Sequence, residues 1–213
     1  MMKTENEMIG LFPNLNNFEI SAQDEASCAE ACLVAAKAIL CRNGMVTKEQ
    51  FRADLSRIYL DRLKNENSVG PRDLPSLKRQ AQDVLGLDTE IINLSDMDIY
   101  LGNDSLTLVK LNWAKSSRKN ESHRFIDDEH YVLIYGQSED TIFFWEPSFS
   151  FNGKKSFKEQ LAKFIRVPAH ISYSSPFWTM PKDEFLDRAH AATRLSSSKG
   201  SALFLKVYKS LQG

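Results

Sequence analysis

Gln23-Asp24-Glu25-Ala26-Ser27-Cys28-Ala29-Glu30-Ala31-Cys32 runs without a break into Leu33-Val34-Ala35-Ala36-Lys37-Ala38-Ile39-Leu40-Cys41. Acidic residues and Ser27 come first, and Cys28, Cys32, Ala35, Ala36 and Ile39 then recur at helical spacing. The spacing predicts a buried helix from about Asp24 to Asn43, ended by Gly44, with Cys28 in its first turn. A thiol placed there meets the partial positive charge and the N–H groups of a helix N-terminus, which favour the thiolate. Core packing is the competing explanation, because unpaired cysteines are often buried and Cys28 and Cys32 share the apolar face.

A second stretch bears on that choice. His130-Tyr131-Val132-Leu133-Ile134-Tyr135-Gly136 is followed, across Gln137-Ser138-Glu139-Asp140, by Thr141-Ile142-Phe143-Phe144-Trp145-Glu146-Pro147. The pattern predicts a β-hairpin with His130 opening the first strand and Glu146 closing the second. Antiparallel strands joined this way bring their outer ends together, so the imidazole and the carboxylate are expected to be neighbours. A base and a carboxylate that orients it are the two partners a thiol nucleophile needs.

Size and composition set the bounds. A chain of 213 residues suits one domain, with or without an appendage, and 42% hydrophobic and 26% charged residues are ordinary for a soluble globular protein. The 27 basic and 28 acidic side chains nearly cancel, which gives no signature of nucleic-acid binding and no polybasic membrane anchor. Met1 to Glu7 lacks the order of a secretory signal, and no run approaches the length of a membrane span. The expected location is therefore the cytoplasm, or outside it by a route that leaves no conventional signal. Cys28, Cys32 and Cys41 cannot form a disulfide framework, and the histidines His123, His130, His170 and His190 form no zinc-ligand spacing with them. No metal and no organic cofactor is expected. No heptad run or apolar patch sets an oligomeric state.

Taken in order, residues 1 to 22 read as an extended lead-in. Thr47-Lys48-Glu49-Gln50 is a capping box opening a second helix to about Lys64, with Phe51, Leu55, Ile58, Tyr59 and Arg62 stepping along it. A third helix runs from Leu74 to Leu85 and is closed by Gly86, and a short strand covers Thr89 to Asn93. Ser95 to Leu101 reads as a helical turn and Leu106 to Trp113 as a strand. Ala114 to Glu129 is a long loop leading to His130, read as a rim or lid with a solvated loop as the alternative. Phe157 to Phe164 reads as a helix. In the segment from residue 168, Asp183 to Leu195 reads as a helix, and Ala202 to Tyr208 fits a strand or a helix. Helices first and an antiparallel sheet after them make an α+β fold.

This order resembles the double-glycine-leader peptidases that process bacteriocin precursors, within the papain-like cysteine peptidase superfamily. The resemblance covers roughly residues 23 to 167 and includes Gly70-Pro71-Arg72-Asp73-Leu74 and Gly86-Leu87. It implies a papain-like hydrolase domain over 23–167, with 1–22 as a lead-in and 168–213 as an extension packed on or appended to it. It also implies that Cys28 is the nucleophile, His130 the general base and Glu146 the orienting acid. Gln23 falls near the family's oxyanion-hole Gln. Three positions depart from the family pattern: Gln23 is five residues before Cys28, one closer than usual; Ala29 stands where Gly is common; and Glu146 stands where Asp is usual.

The implied chemistry is acyl transfer from an amide. The Cys28 thiolate attacks a carbonyl carbon, the Cys28 N–H and Gln23 hold the oxyanion, and water releases the acyl group from a thioester. The expected partner is a peptide or protein substrate. The same residues would serve glutamine deamidation or acyl exchange, and a bacterial effector or toxin role is a further expectation for a small chain of this kind. The rival class is a catalytically inactive papain-like module that binds a peptide or carrier protein. Cys32 is the competing nucleophile, read as core because it lies a turn deeper; His123 is the reserve base, and His170 and His190 read as structural or exposed.

Overall fold

The cysteine-bearing run folds as a helix that is buried on almost every side. In the computed structural model, which describes residues 28–42, 46–65, 73–93, 105–112, 129–147, 177–195 and 203–210, this helix is α1, Cys28–Arg42. Ala29, Ala31 to Ala36, Ala38 and Ile39 are all buried, so the Ala-rich composition reflects close approach of neighbours all round the helix. Helix α2, Lys48–Asn65, starts at the expected capping box: Thr47 N–H donates to Gln50 Oε1 at 2.9 Å, and Gln50 N–H to Thr47 Oγ1 at 3.2 Å. Its stripe Phe51, Leu55 and Ile58 enters the core beside α1.

Ion pairs tie these helices together where they are least exposed. Arg62 Nη1 meets Glu30 Oε1 at 3.3 Å, with side chains 10% and 0% exposed, and Lys37 Nζ meets Asp54 Oδ1 at 2.9 Å. Arg79 clasps Asp61 with two hydrogen bonds, of 2.7 and 3.0 Å, joining the third helix to α2.

The third helix differs from its expected form. Only Leu74–Arg79 (α3) is α-helical, capped by Asp73, whose Oδ1 accepts from Ser76 N–H at 2.8 Å. Gln80–Val84 widens into a π turn, with Leu85 N–H donating to Gln80 O at 3.3 Å. Through this turn Leu77, Ala81 and Leu85 stay in the core, while Gln82 and Asp83 are exposed. Gly86 then ends the element with φ +69°, a conformation that only glycine adopts without strain.

Among the described residues six strands follow: β1 (Leu87–Asn93), β2 (Ser105–Asn112), β3 (Glu129–Gln137), β4 (Thr141–Trp145), β5 (Phe177–Pro181) and β6 (Leu203–Lys209). They form one sheet in the order β1-β6-β2-β3-β4-β5, and every pairing is antiparallel. The architecture is α+β, with the helix that carries Cys28 packed on an antiparallel sheet. The segment from residue 168 supplies β5, β6 and the intervening helix α4, Lys182–Leu195. Residues 202 to 208, which fitted either a helix or a strand, lie largely in β6, between β1 and β2.

Alternation along the strands divides the core in two. Leu106, Leu108, Tyr131, Leu133, Tyr135, Phe143, Trp145, Leu205 and Val207 face the helices α1 to α3. Val109, Leu111, Val132, Ile134, Ile142, Phe144 and Phe204 face α4 through Phe185 and Ala189. On that side Phe144 packs against Phe185, ring centroids 5.6 Å apart, and edge-on to Trp178 at 6.1 Å. The hairpin turn anchors α4, since Lys182 N–H donates to Asp140 O at 2.8 Å. The helical turn expected at 95–101, the lid loop 114–128 and the helix at 157–164 lie outside the described residues.

Candidate active site

The β3–β4 hairpin fixes two of the residues. Ser138 N–H donates to Thr141 O at 2.8 Å across the turn, and the pairs Gln137↔Ile142, Gly136↔Phe143, Ile134↔Phe144 and Leu133↔Trp145 run outward from it. A bulge between Ile134 and Gly136 shifts the register by one residue. His130 near the start of β3 and Glu146 just past the end of β4 are thereby brought together: His130 Nε2 is hydrogen-bonded to Glu146 Oε1. Glu146 is 1% exposed, so its carboxylate is held in place by packing as well as by the imidazole. The extra methylene that distinguishes it from Asp does not prevent this contact.

Helix α1 packs on β3 and supplies the third residue. The half-buried Cys28 thiol hydrogen-bonds to His130. Because Glu146 occupies Nε2, the thiol is left with Nδ1, and the imidazole bridges sulfur and carboxylate. Cys28, His130 and Glu146 come from elements more than a hundred residues apart in the chain at their extremes, and they form one hydrogen-bonded series.

The electrostatics follow from that series. Burial alone would push the Cys28 thiol up, but the hydrogen bond from His130, the charge of His130 and a hydrogen bond with the Tyr131 backbone outweigh it; the thiol lies below its ordinary 9.0. Burial would push His130 down, yet the Glu146 charge and hydrogen bonds with Cys28 and Glu146 raise it from 6.5 to about 10. A lowered thiol beside a raised imidazole favours a thiolate–imidazolium pair. Cys32 is the opposite case: burial, with the charges of Cys28, Glu146 and Glu30 behind it, holds its thiol well above 9.0. It stays protonated in the core.

Gln23, named as an oxyanion donor, and the reserve base His123 lie outside the described residues, as does His170. His190 is exposed on α4, and Cys41 is exposed near the end of α1. Sequence reasoning missed Tyr131, whose backbone joins the site directly. Its position next to His130 and two residues before the first β3–β4 pair was the available signal. Among the described residues no group of three His, Cys, Asp or Glu side chains is placed to hold a metal ion, and no helix is long and apolar enough to cross a membrane.

No protein-family description matches the chain. Comparison with curated proteins also gives no match. Among solved structures, the chain is similar to that of a provisionally assigned C39-like peptidase from Bacillus anthracis; the match covers 85% of this chain and 90% of that one, at 10% identity and a TM-score of 0.47.

Proposed function

We propose that the chain is a papain-like thiol hydrolase that cleaves a peptide or amide bond through Cys28, His130 and Glu146. The observation that carries this reading is the hydrogen-bonded series from the Cys28 thiol through His130 to Glu146. A structural cysteine has no use for an imidazole at its sulfur or for a buried carboxylate behind that imidazole.

In the resting state the proton of Cys28 resides on His130. The thiolate attacks the carbonyl carbon of the scissile bond, forming a C–S bond and a tetrahedral oxyanion, with the Cys28 N–H and Gln23 as its proposed donors. Collapse breaks the C–N bond as His130 gives its proton to the departing amine. Water then attacks the thioester while His130 takes one of its protons, and the acid leaves as Cys28 is restored. Throughout, Glu146 keeps Nδ1 turned toward sulfur and stabilises the imidazolium. A peptide with paired glycines before the scissile bond is the first substrate to try, in keeping with the resemblance to double-glycine-leader peptidases.

The test is pH-resolved alkylation of native protein by iodoacetamide, read by mass spectrometry, with a His130→Ala variant alongside. Rapid labelling of Cys28 at pH 6 that the variant slows is the expected result. Labelling of Cys28 no faster than that of Cys41, and indifferent to His130→Ala, would overturn the triad. Hydrolysis of the glycine-pair peptide, lost in Cys28→Ala, then separates an enzyme from a binding module, in which the substitution would leave peptide affinity intact and no turnover would be seen with Cys28 present.

A further inference from the structure

Backbone groups of a strand are normally taken up by the residue opposite. Between β3 and β4 the ladder ends at Leu133↔Trp145. Two residues further it would set Tyr131 against Pro147, which has no N–H to give to the Tyr131 carbonyl. Helix α1 supplies a donor there. Cys32, fully buried, donates its Sγ–H to Tyr131 O at 3.5 Å, and Cys28, one turn earlier on the same helix face, hydrogen-bonds with the backbone of the same residue.

We infer that Cys32 is a positioning residue for the active site: its thiol holds the Tyr131 peptide, and through it the adjoining His130, against Cys28. The inference rests on the triad reading above. Cys32 suits the task because its proton is retained. Burial, first, and the neighbouring negative charges keep it a thiol under conditions where Cys28 is a thiolate, so the donor persists while the nucleophile is charged. Two sulfurs spaced four residues apart on one helix thus divide the work, one as nucleophile and one as donor to the peptide that frames it.

Cys32→Ala and Cys32→Ser leave side chains of nearly equal volume and differ in the hydroxyl donor. Cys32→Ala is expected to slow Cys28 alkylation at pH 6 by roughly three- to tenfold and to move its pH profile upward. Cys32→Ser is expected to stay within about twofold of the parent, both variants being matched for melting temperature. Should Cys32→Ala fail to fold, Cys32→Thr against Cys32→Val makes the same comparison at larger volume. Equal profiles for the donor and non-donor variants would overturn the inference while rapid, His130-dependent labelling of the parent keeps the triad. Slow, His130-independent labelling of the parent would remove both.

Discussion

Glu146→Gln keeps the length of the side chain and takes its charge out of a position that is 1% exposed. The charge of Glu146 is the leading force raising His130 from 6.5 to about 10, ahead of the hydrogen bonds to Cys28 and to Glu146 itself. Each pH unit of that rise corresponds to about 1.4 kcal/mol. Glu146 also repels the Cys28 thiolate, and losing that repulsion works in the opposite direction, but it is the smallest of the influences on Cys28, behind both contributions of His130. The balance is therefore a loss. If His130 falls by only one to two units, the thiolate–imidazolium pair weakens by about 1.4 to 2.7 kcal/mol relative to the neutral thiol and imidazole, and the Cys28 thiolate read by labelling falls by up to roughly 10- to 100-fold. Hydrolysis is expected to fall further, by about 10²- to 10⁴-fold, because the imidazole also loses the carboxylate that orients it. Iodoacetamide labelling from pH 5 to 9, with mass spectrometry of the Cys28 peptide, measures the first quantity directly. A Glu146→Gln profile superimposed on that of the parent would refute the reasoning and reduce Glu146 to a buried acid.

The pH dependence of kcat/KM on a cleaved peptide is expected to be bell-shaped, with its acid limb below 9.0, where Cys28 loses its proton, and its alkaline limb near 10, where His130 does; an alkaline limb near pH 7 would contradict the raised imidazole. Arg62→Leu takes the guanidinium from a carboxylate with no exposure and is expected to lower stability by about 3 kcal/mol in urea denaturation, whereas the same substitution combined with Glu30→Gln should recover much of the loss; a single variant within 0.5 kcal/mol of the parent, on the order of an ordinary surface change, would show the pair to be inconsequential. Gly86→Ala meets no atom within 4 Å but must adopt φ +69°, so a loss of about 1 to 2 kcal/mol is expected, with Gly86→Asn milder; equal melting temperatures for all three would argue against a conformational origin.

The features legible in the sequence were those fixed by neighbours along the chain. Thr47 and Gln50 announce α2 because a capping box is local chemistry, and Gly86 marks the end of the third helix because only glycine suits its φ. The proximity of His130 and Glu146 could be read for the same reason: a short turn between two strands makes their outer ends neighbours whatever surrounds them. Cys28 meeting His130 is a non-local contact, and it entered through the resemblance and the chemical logic of a thiol and a base. What the sequence withheld was long-range. Leu203–Lys209 has apolar residues on both sides because it is covered on both faces in the middle of the sheet, which blurs the distinction between strand and buried helix. The π turn at Gln80–Val84 and the partnership of Arg62 with Glu30 depend on how α2 and α3 dock, and no periodicity encodes that. Cys32 was legible as core but not as a donor, since its acceptor lies 99 residues away.

The place of β6 carries a consequence for how the protein comes into being. Its partners β1 and β2 are not paired with one another; they are stitched together through Leu203–Lys209, more than ninety residues downstream of either. During synthesis the ribosome delivers the cysteine helix, the imidazole and the carboxylate long before it delivers the strand that closes the sheet beneath them. Such a high contact order makes folding slow and leaves two strand edges open on the nascent chain, which is where premature association begins. Assembly of the sheet is thus timed by the arrival of its interior strand, and a frameshift or stop codon between residues 147 and 203 would yield a polypeptide that carries Cys28, His130 and Glu146 on an unfinished scaffold.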